Sequence, residues 1–309
     1  MDRQRTVALA EGVFAVAVWG ASFIATKVAL SEVSPATVVW LRFAMGVAVL
    51  GVAVVARKQL ALVSLQELAL FAALGFIGIT FHQWLQSNAL VTSQASTSAW
   101  IITTTPVFMA ILGRLVLGER LGLRRLAGIV VAAAGVLLVV TRGQIATLAA
   151  GRLGAPGDIL MLLSSPNWAV FSVLSRRALR NQAATRTMFY VMTLGWLFST
   201  VPFTAGPGVS EIGLLSARGW AGVAFLGVAC SGLAYIAWFD ALQRTSASEA
   251  GALLYLEPLV ATAVAAVVLG EGVGIATLAG GVTILAGVWL VNRGTGGESA
   301  TVAAHAGEE

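Results

Sequence analysis

A stretch that the chain carries twice decides its fold: residues 89–119 read ALVTSQASTSAWIITTTPVFMAILGRLVLGE, and residues 241–271 read ALQRTSASEAGALLYLEPLVATAVAAVVLGE. Outward from it, at the same shift of 152 residues, positions 75–140 and 227–292 align without a gap and agree at 20 of 66 positions. A weaker match at a shift of 149 places Trp19 on Trp168 and Lys27 on Arg176. The protein therefore consists of two copies of one unit of roughly 150 residues.

The composition indicates that this unit lies in a membrane. Hydrophobic residues make up 58% of the chain and charged residues 11%, and the mean hydropathy is +0.88, which is outside the range of soluble domains. Apolar stretches of about 17–25 residues recur, and each can cross the hydrocarbon layer as a helix. The single Cys230 excludes a disulfide framework. The basic pI near 10.1 fits a membrane protein better than a nucleic-acid binder.

Ten transmembrane helices are predicted. They fall near residues 12–31, 36–56, 68–91, 94–117, 126–141, 157–178, 185–203, 219–242, 248–269 and 275–291. The flanking segments are a charged start at 1–11, a polar, Gly- and Pro-rich linker at 142–156 and a tail at 292–309 that we expect to be disordered. The first repeat thus comprises residues 12–141 and the second residues 157–291.

The charges test the orientation of the two copies. Five spans per copy is an odd number, so the second copy enters the membrane from the opposite side and the repeats are inverted. With the N-terminus inside, fourteen Lys and Arg residues fall on the cytoplasmic side, and only Arg142, Arg152 and Arg218 fall on the other. Such a bias is typical of cytoplasmic loops. Both termini are therefore expected in the cytoplasm.

Several short motifs accompany the ten spans. They are Trp19-Gly20-Ala21-Ser22-Phe23 with Lys27, Leu41-Arg42-Phe43, and Pro106 with Leu117-Gly118-Glu119, which returns as Glu257-Pro258 with Leu269-Gly270-Glu271. Together they resemble the EamA family of the drug/metabolite transporter superfamily. The resemblance implies a bacterial inner-membrane secondary carrier of ten helices, and many members export amino acids or other small metabolites through a cavity between the halves. The chain departs from the pattern at Pro166, inside span 6.

The repeats themselves indicate transport. Inverted repeats let one fold open to either side around a ligand near the midplane, although a duplicated scaffold without moving parts is an alternative. The sequence has no Gly-x-x-x-x-Gly-Lys-Ser/Thr motif for ATP. His82 and His305 are its only histidines, and neither His-Glu-x-x-His nor Gly-x-Ser-x-Gly occurs. We therefore expect a carrier rather than an enzyme, with no cofactor and no metal site.

Charged residues within the spans are candidates for function because they are costly to insert. Glu257 lies about ten residues from the end of span 9, roughly 15 Å deep, directly before Pro258. It either couples to protons or a substrate amine, or has a structural role, as an ion pair with Lys27 or Arg42 or as a hydrogen bond at a helix terminus. Those two cations lie in the outer thirds of spans 1 and 2 and could extend to the interface.

Polar and aromatic side chains complete the predicted cavity. Lys27 shares a helical face with Trp19, Ser22 and Phe23 and could present its charge to a substrate carboxylate. His82 and Gln86, four residues apart, share another face, and span 4 offers Trp100, Thr103 and Thr104. Further aromatic side chains come from the second copy: Trp168, Phe171, Tyr235, Trp238 and Tyr255. The alternative for each of them is ordinary helix packing.

Prolines and glycines suggest where the helices bend and where they pack. Pro106 and Pro258 occupy matched positions, and each removes a backbone hydrogen bond, while Pro166 adds a proline to span 6 only. We predict these three as hinges. The glycines at 128, 135, 280, 281 and 287 are predicted to let spans 5 and 10 pack closely.

The sequence thus predicts an inner-membrane secondary transporter that exports small metabolites, with amino acids, aromatic or apolar ones in particular, as the expected substrates. Its partners are the solute and the lipid bilayer, and no nucleic acid is expected. A carrier that exports drugs or organic cations is the first alternative. A membrane enzyme acting on lipid-borne substrates and a passive channel are the others.

Overall fold

The computed structural model of the protein describes residues 3–117, 122–144, 154–179, 182–242, 244 and 253–293, and every regular element in these ranges is helical. The α-helices are α1 (Arg3–Leu30), α2 (Pro35–Ala56), α3 (Leu65–Leu74), α4 (His82–Thr92), α5 (Ala95–Ile102), α6 (Thr105–Leu117), α7 (Leu123–Val140), α8 (Pro156–Leu179), α9 (Ala184–Ala205), α10 (Gly208–Glu211), α11 (Ala217–Ala224), α12 (Ala234–Leu242), α13 (Leu256–Val268) and α14 (Ile275–Arg293). The other elements are two π-helices, π1 (Gly75–Phe81) and π2 (Phe225–Leu233), and the 3-10 turn Ile212–Leu214.

The described helices are those of a multi-pass membrane protein. Eight helical stretches are long and apolar enough to cross a membrane, and α13 and α14 are shorter apolar helices. Helices satisfy their own backbone hydrogen bonds, which the hydrocarbon layer requires. The predicted all-helical membrane class is therefore confirmed.

The first helix begins earlier than predicted. α1 starts at Arg3, so the charged start at residues 3–11 is helical and continuous with the first span. Arg, Gln, Ala, Leu and Glu in this stretch are strong helix formers. The ends of the other spans agree with the prediction within a few residues wherever the structure describes them. Residues 145–153 of the predicted linker at 142–156 and residues 294–309 of the predicted tail at 292–309 lie outside the described residues.

Two π-helical turns occupy matched positions in the two copies. π1 begins at Gly75, and Gly227, its equivalent at a shift of 152, lies within π2. A π-turn interrupts the regular α-helical hydrogen bonds and often marks a functional site. In this protein the side chain of Asn167 donates to Ile77 O at 2.9 Å, and the Trp19 indole donates to Cys230 O at 3.2 Å. Each bond joins one copy to the other at a π-turn.

The two repeated prolines follow interruptions in their helices. A turn at 103–104 separates α5 from α6 just before Pro106, and a turn at 254–255 precedes α13 and Pro258. Proline lacks an N–H and disfavours helical backbone in the residue before it. Pro166, in contrast, lies inside the uninterrupted helix α8.

The helices α7 and α14 pack backbone against backbone. A Cβ atom at Gly128 would lie 2.7 Å from Gly287 O, and one at Gly135 would lie 2.7 Å from Gly280 O. Small residues permit such close contact between transmembrane helices. Because the partner's number falls as the first number rises, the two helices run antiparallel. The close packing predicted for these four glycines is confirmed.

The helices α2 and α9 also run antiparallel. Near the start of α2, the Trp40 indole donates to Thr200 Oγ1 at 3.0 Å. Beyond its end, Arg57 Nη1 donates to Thr185 Oγ1 at 3.1 Å. These two helices are equivalent in the two copies, as α7 and α14 are.

The repeated Gly-Glu sequence has a structural role in the second copy. Glu271 accepts hydrogen bonds from the backbone N–H groups of Ala95 and Ser96, at 2.8 and 3.1 Å, and from the Ser96 hydroxyl at 2.7 Å. A carboxylate at this place caps the start of α5 and balances the helix dipole. The equivalent residues of the other pair, Glu119 and Ser248, lie outside the ranges described above.

Two loop carboxylates join the copies at the ends of the helices. Glu211 accepts hydrogen bonds from the Ser34 hydroxyl at 2.7 Å and the Thr37 hydroxyl at 2.5 Å, and Glu32 accepts one from the Ser216 hydroxyl at 2.7 Å. Burial raises the pKa of Glu211, but the hydrogen bonds from Thr37 and Ser34 outweigh it, so that the pKa lies below its ordinary value. The ionised form of Glu211 therefore stabilises the fold.

Glu211→Gln tests this contribution. We expect the melting temperature at neutral pH to fall by about 2–4 °C, which corresponds to ~1 kcal/mol lost with a charge-assisted hydrogen bond. Because the pKa of Glu211 is lowered, its contribution is fully present above the unfolded value and is lost as the pH falls through the folded value. The difference between variant and parent should accordingly shrink below the ordinary glutamate pKa of 4.5. A difference that does not change with pH would assign the effect to packing.

Candidate functional site

Aromatic side chains of α1 and α12 meet where the two copies contact each other. The Trp19 ring lies 5.6 Å from Tyr235 and 5.4 Å from Trp238, measured between ring centroids. The Trp19 indole N–H is bonded to the π2 carbonyl of Cys230. Three of the aromatic residues predicted for the cavity therefore form one cluster, held at a π-turn.

A second aromatic group lies at the other π-turn. The rings of His82 and Trp168 are 4.6 Å apart, and those of Trp168 and Phe171 are 4.7 Å apart. A Cβ atom at Gly78, within π1, would lie 2.1 Å from the Phe171 ring. Only glycine permits this ring to pack on the π-turn. Trp19 and Trp168, equivalent by repeat, thus occupy comparable places in the two halves.

Arg42 is a residue that the sequence reasoning did not include in the site. Its Nε donates to Ser231 Oγ at 2.8 Å and its Nη1 donates to Gln83 Oε1 at 3.0 Å. Gln83 Nε2 in turn approaches Gln86 Oε1 at 3.5 Å. Arg42 is 7% exposed, so the expectation that it extends to the interface is wrong. The Leu41-Arg42-Phe43 motif draws attention to Arg42 in the sequence, but a motif does not show which side chains Arg42 contacts.

Glu257 lies in the first turn of α13, against α1. Its carbonyl oxygen would be 2.7 Å from a Cβ atom at Gly20, directly after Trp19. Among the described side chains, its carboxylate forms no ion pair with Lys27 or Arg42. The structural ion pair that the sequence left open is therefore not formed, and the backbone of Glu257 packs on the residue that follows Trp19.

The Lys27 ammonium group is hydrogen-bonded to another part of the chain. Its Nζ donates to Ser93 O, at the end of α4, at 2.5 Å, and the Ser93 hydroxyl donates to Asp158. Asp158 is itself 6% exposed and accepts a hydrogen bond from Ala155 N at 2.8 Å. We refer to Lys27, Ser93 and Asp158 as the polar latch. It joins α1 and α4 to α8, and the substrate role predicted for Lys27 stays a prediction.

The residues predicted on span 4 lie in packed surroundings. Trp100 is 1% exposed, and a Cβ atom at Gly281 would lie 2.7 Å from its ring. Gly281, predicted to support the contact between spans 5 and 10, thus faces this indole. Thr103 donates to Ala99 O at 2.8 Å, and Thr104 donates to Ile101 O at 2.7 Å.

The remaining predicted residues border these groups. Phe23 is buried in a cluster with Ala261 of α13. The carbonyl of Ser22 accepts a bond from Thr26 at 2.7 Å. Tyr255 packs with the Trp100 cluster. In the ranges that the structure covers, no three His, Cys, Asp or Glu side chains come together to hold a metal ion.

A separate apolar groove of about 400 Å³ lies elsewhere. It is lined by Phe76, Thr80, Phe81, Trp84, Phe198, Val201 and Pro202. None of the predicted site residues lines it. It is therefore distinct from the predicted site, although its lining residues come from both copies.

Comparisons with known proteins agree on one family. The model of the EamA-like transporter family matches residues 7–141 and, again, residues 155–293. A protein of Archaeoglobus fulgidus, described as an uncharacterized transporter, is 30% identical over 273 residues, which cover 88% of this chain and 93% of that protein.

Two further relatives have more specific descriptions. A probable terminal-alkyne amino-acid exporter of Streptantibioticus cattleyicolor is 28% identical, covering 92% of each chain. A probable amino-acid metabolite efflux pump of Salmonella typhimurium is 26% identical, covering 89% of this chain and 91% of that protein. A solved crystal structure at 23% identity shares the fold, with a TM-score of 0.64 over 92% of this chain and 98% of that one. The chain belongs to the EamA-like transporter family.

Proposed function

We propose that this protein is a secondary-active transporter that exports amino acids and similar small metabolites by alternating access. The observation that carries the proposal is the junction of the two copies. There, Trp19 and Arg42 of the first copy meet Tyr235, Trp238 and Ser231 of the second. A solute bound at such a junction is exposed to one side or the other when the halves tilt.

The proposed architecture is ten helices in two inverted repeats, residues 12–141 and 157–291, connected by the linker at 142–156. The antiparallel packing of the equivalent helices α7 and α14, and of α2 and α9, supports inversion, because equivalent helices of inverted repeats point in opposite directions. The paired π-turns support a common origin. The charge bias supports cytoplasmic termini and insertion in the bacterial inner membrane.

The proposed substrate site comprises the residues that the sequence predicts for the cavity, of which Trp19, Tyr235 and Trp238 lie together at this junction. The full set is Trp19, Ser22, Phe23, Lys27, His82, Gln86, Trp100, Thr103, Thr104, Trp168, Phe171, Tyr235, Trp238, Tyr255 and Glu257, with Pro106, Pro166 and Pro258 as hinges. Aromatic walls favour a solute with an apolar or aromatic side chain, or a cation held against ring faces. The descriptions of two relatives as amino-acid exporters support the amino-acid class.

Polar contacts join helices of the two copies at both ends of the bundle. At one end the polar latch connects Lys27 to Asp158 through Ser93. At the other, Arg244 pairs with Glu11 at 3.2 Å, and Arg57 pairs with Asp240 at 2.6 Å. Asp158 begins the first helix of the second copy, and Glu11 lies near the start of the first copy. Alternating access requires these two sets of contacts to break in turn.

Export of organic cations is a second candidate. The Glu257 carboxylate favours it, because it has no cationic partner among the described residues, and its backbone packs on Gly20, the residue after Trp19. Such a carboxylate could bind an ammonium group, with the aromatic rings of the junction as further partners for the cation.

Counterflow in liposomes tests the proposed function. We expect vesicles that contain the purified protein, loaded with unlabelled amino acids, to accumulate the labelled solute. Trp19→Ala should lower the rate by about tenfold, since it removes two aromatic contacts and the bond to π2. Trp220→Ala is the matched control, because Trp220 is 37% exposed and outside the junction.

Three outcomes would contradict the proposal. They are the absence of counterflow for every labelled amino acid, chemical turnover in detergent without two compartments, and conduction without saturation. The second would favour a membrane enzyme and the third a passive channel.

A further inference from the structure

Arg42 is a buried cation whose bonded partners carry no charge. It is 7% exposed, and its hydrogen bonds go to the Ser231 hydroxyl and the Gln83 amide oxygen. Within the described part of the chain, no Asp or Glu forms an ion pair with it. A charge buried inside a membrane protein is costly unless an opposite charge compensates it. Two neutral acceptors do not supply that charge.

Two further polar atoms in this region have no hydrogen-bond partner in the described part of the chain. His82 is 4% exposed, and its Nδ1 is buried without a hydrogen-bond partner. The Nη2 group of Arg42 makes no hydrogen bond to any residue that the structure describes, whereas Nε and Nη1 do. Gln83, the partner of Arg42 Nη1, directly follows His82 in the chain. Buried polar groups almost always have partners, so the unpaired His82 Nδ1, together with the unbonded Nη2 group, indicates a partner from outside the chain.

The position of Arg42 between the two copies also indicates a partner from outside the chain. Its partner Ser231 lies in π2, and Gln83 follows π1 directly. Tyr235, of the Trp19 cluster, follows Ser231 by four residues, where π2 passes into α12. A residue serving only to join helices needs no charge here, because a neutral amide could bond the same two groups.

We propose that Arg42, with His82 and Gln83, forms an anion site that binds the carboxylate of the transported solute. This inference rests on the proposed function and specifies the solute as a carboxylate rather than any small metabolite. The planar guanidinium matches a carboxylate in geometry and remains charged at all relevant pH values. Nη2 donates directly to the solute carboxylate, and the buried ring of His82 borders the site. Trp168 and Tyr235 border the site with aromatic surface.

The test compares acids with neutral amides of the same shape. The probes are acetate against acetamide and 3-phenylpropionate against 3-phenylpropionamide, and binding is measured by calorimetry and thermal unfolding of the full-length protein in detergent. We expect at least one acid to bind about tenfold or more tightly than its amide, as a charge-assisted hydrogen bond provides. Arg42→Gln should remove this preference. Arg57→Gln, which breaks the surface pair with Asp240, should retain it.

Each outcome either supports the anion site at Arg42 or contradicts it. If neither acid is preferred over its amide, or if Arg42→Gln keeps the preference, the anion site is wrong. If Arg42→Gln fails to fold, the comparison of acid with amide in the parent protein still decides. A clear preference for the acids in a protein that shows no amino-acid counterflow would leave the anion site in place and overturn the proposed export of amino acids. Counterflow of amino acids without any preference for the acids would support the proposed export and overturn the anion site.

Discussion

Replacement of Gly135 by leucine should leave almost no folded protein. A Cβ atom at this position would lie 2.7 Å from both Gly280 O and Ile284 N, which are backbone atoms of α14 and cannot rotate away. The two helices would have to separate along their whole contact, including the Gly128–Gly287 crossing one heptad away. We expect a cost of about 3 kcal/mol or more, a large part of the stability of a typical domain. The measurement is the yield of monodisperse protein by size-exclusion chromatography, together with its melting temperature.

Gly213→Leu is the matched control for this prediction. Gly213 lies in the 3-10 turn, and no heavy atom lies within 4 Å of a Cβ built there. We expect yield and melting temperature close to those of the parent. Normal yield of Gly135→Leu would mean that α7 and α14 do not pack as described.

The packing of these helices could be predicted because glycine leaves a direct signal in the sequence. Gly128 and Gly135 are spaced by seven residues and so lie on one face of the helix, and both recur in the second copy. The π-turns could not be predicted in this way. Phe76, Ile77 and Ile79 are compatible with an α-helix, and only contacts such as that of Asn167 with Ile77 O make a π-turn favourable.

The candidate site, like the fold, could be predicted from the sequence only in part. Polar residues in apolar spans predict where function lies, and this argument selects His82. The depth of Trp19 and Trp168 in their spans selects the two aromatic residues, and the roles of all three stay predictions. The sequence could not rank Lys27 against Arg42, because both are cations at similar depth in neighbouring spans. The difference depends on tertiary partners: Lys27 meets the free carbonyl at the end of α4, whereas Arg42 meets only neutral side chains. Likewise, Trp100 could not be recognised as a packing residue before Gly281 was placed against it.

Replacement of Glu257 by glutamine should weaken the binding of L-phenylalanine by between about 10- and 100-fold. The Glu257 backbone lies against Gly20, next to Trp19 in the chain, and Trp19 contacts Tyr235. Because the carboxylate and the ammonium group of an amino acid are bonded to the same carbon, we expect the solute to bind with its acid at Arg42 and its ammonium group towards Glu257. The measurement is calorimetry on the purified full-length protein with L-phenylalanine and, in parallel, with 3-phenylpropionate, which lacks the amine.

The comparison of the two ligands distinguishes recognition from damage to the fold. If Glu257 binds the ammonium group, Glu257→Gln affects only L-phenylalanine, and 3-phenylpropionate binds as it does to the parent. Equal losses for both ligands would instead indicate a structural role for Glu257 at its contact with α1. Asp240→Asn, which removes a carboxylate from the surface pair with Arg57, controls for the change of net charge.

The same experiment separates amino-acid export from organic-cation export. Phenethylamine has the amine and the ring of phenylalanine but no carboxylate, so it can use Glu257 and Trp19 but not Arg42. A carrier of amino acids should bind it more weakly than L-phenylalanine, because a buried guanidinium without an anion is left uncompensated. A carrier of organic cations should bind it at least as tightly and should be insensitive to Arg42→Gln. Since Arg42 and Glu257 lie in different copies, a solute that needs both charges can bind fully only while the two halves are closed around it, which is the condition for carrying it across rather than letting it leak.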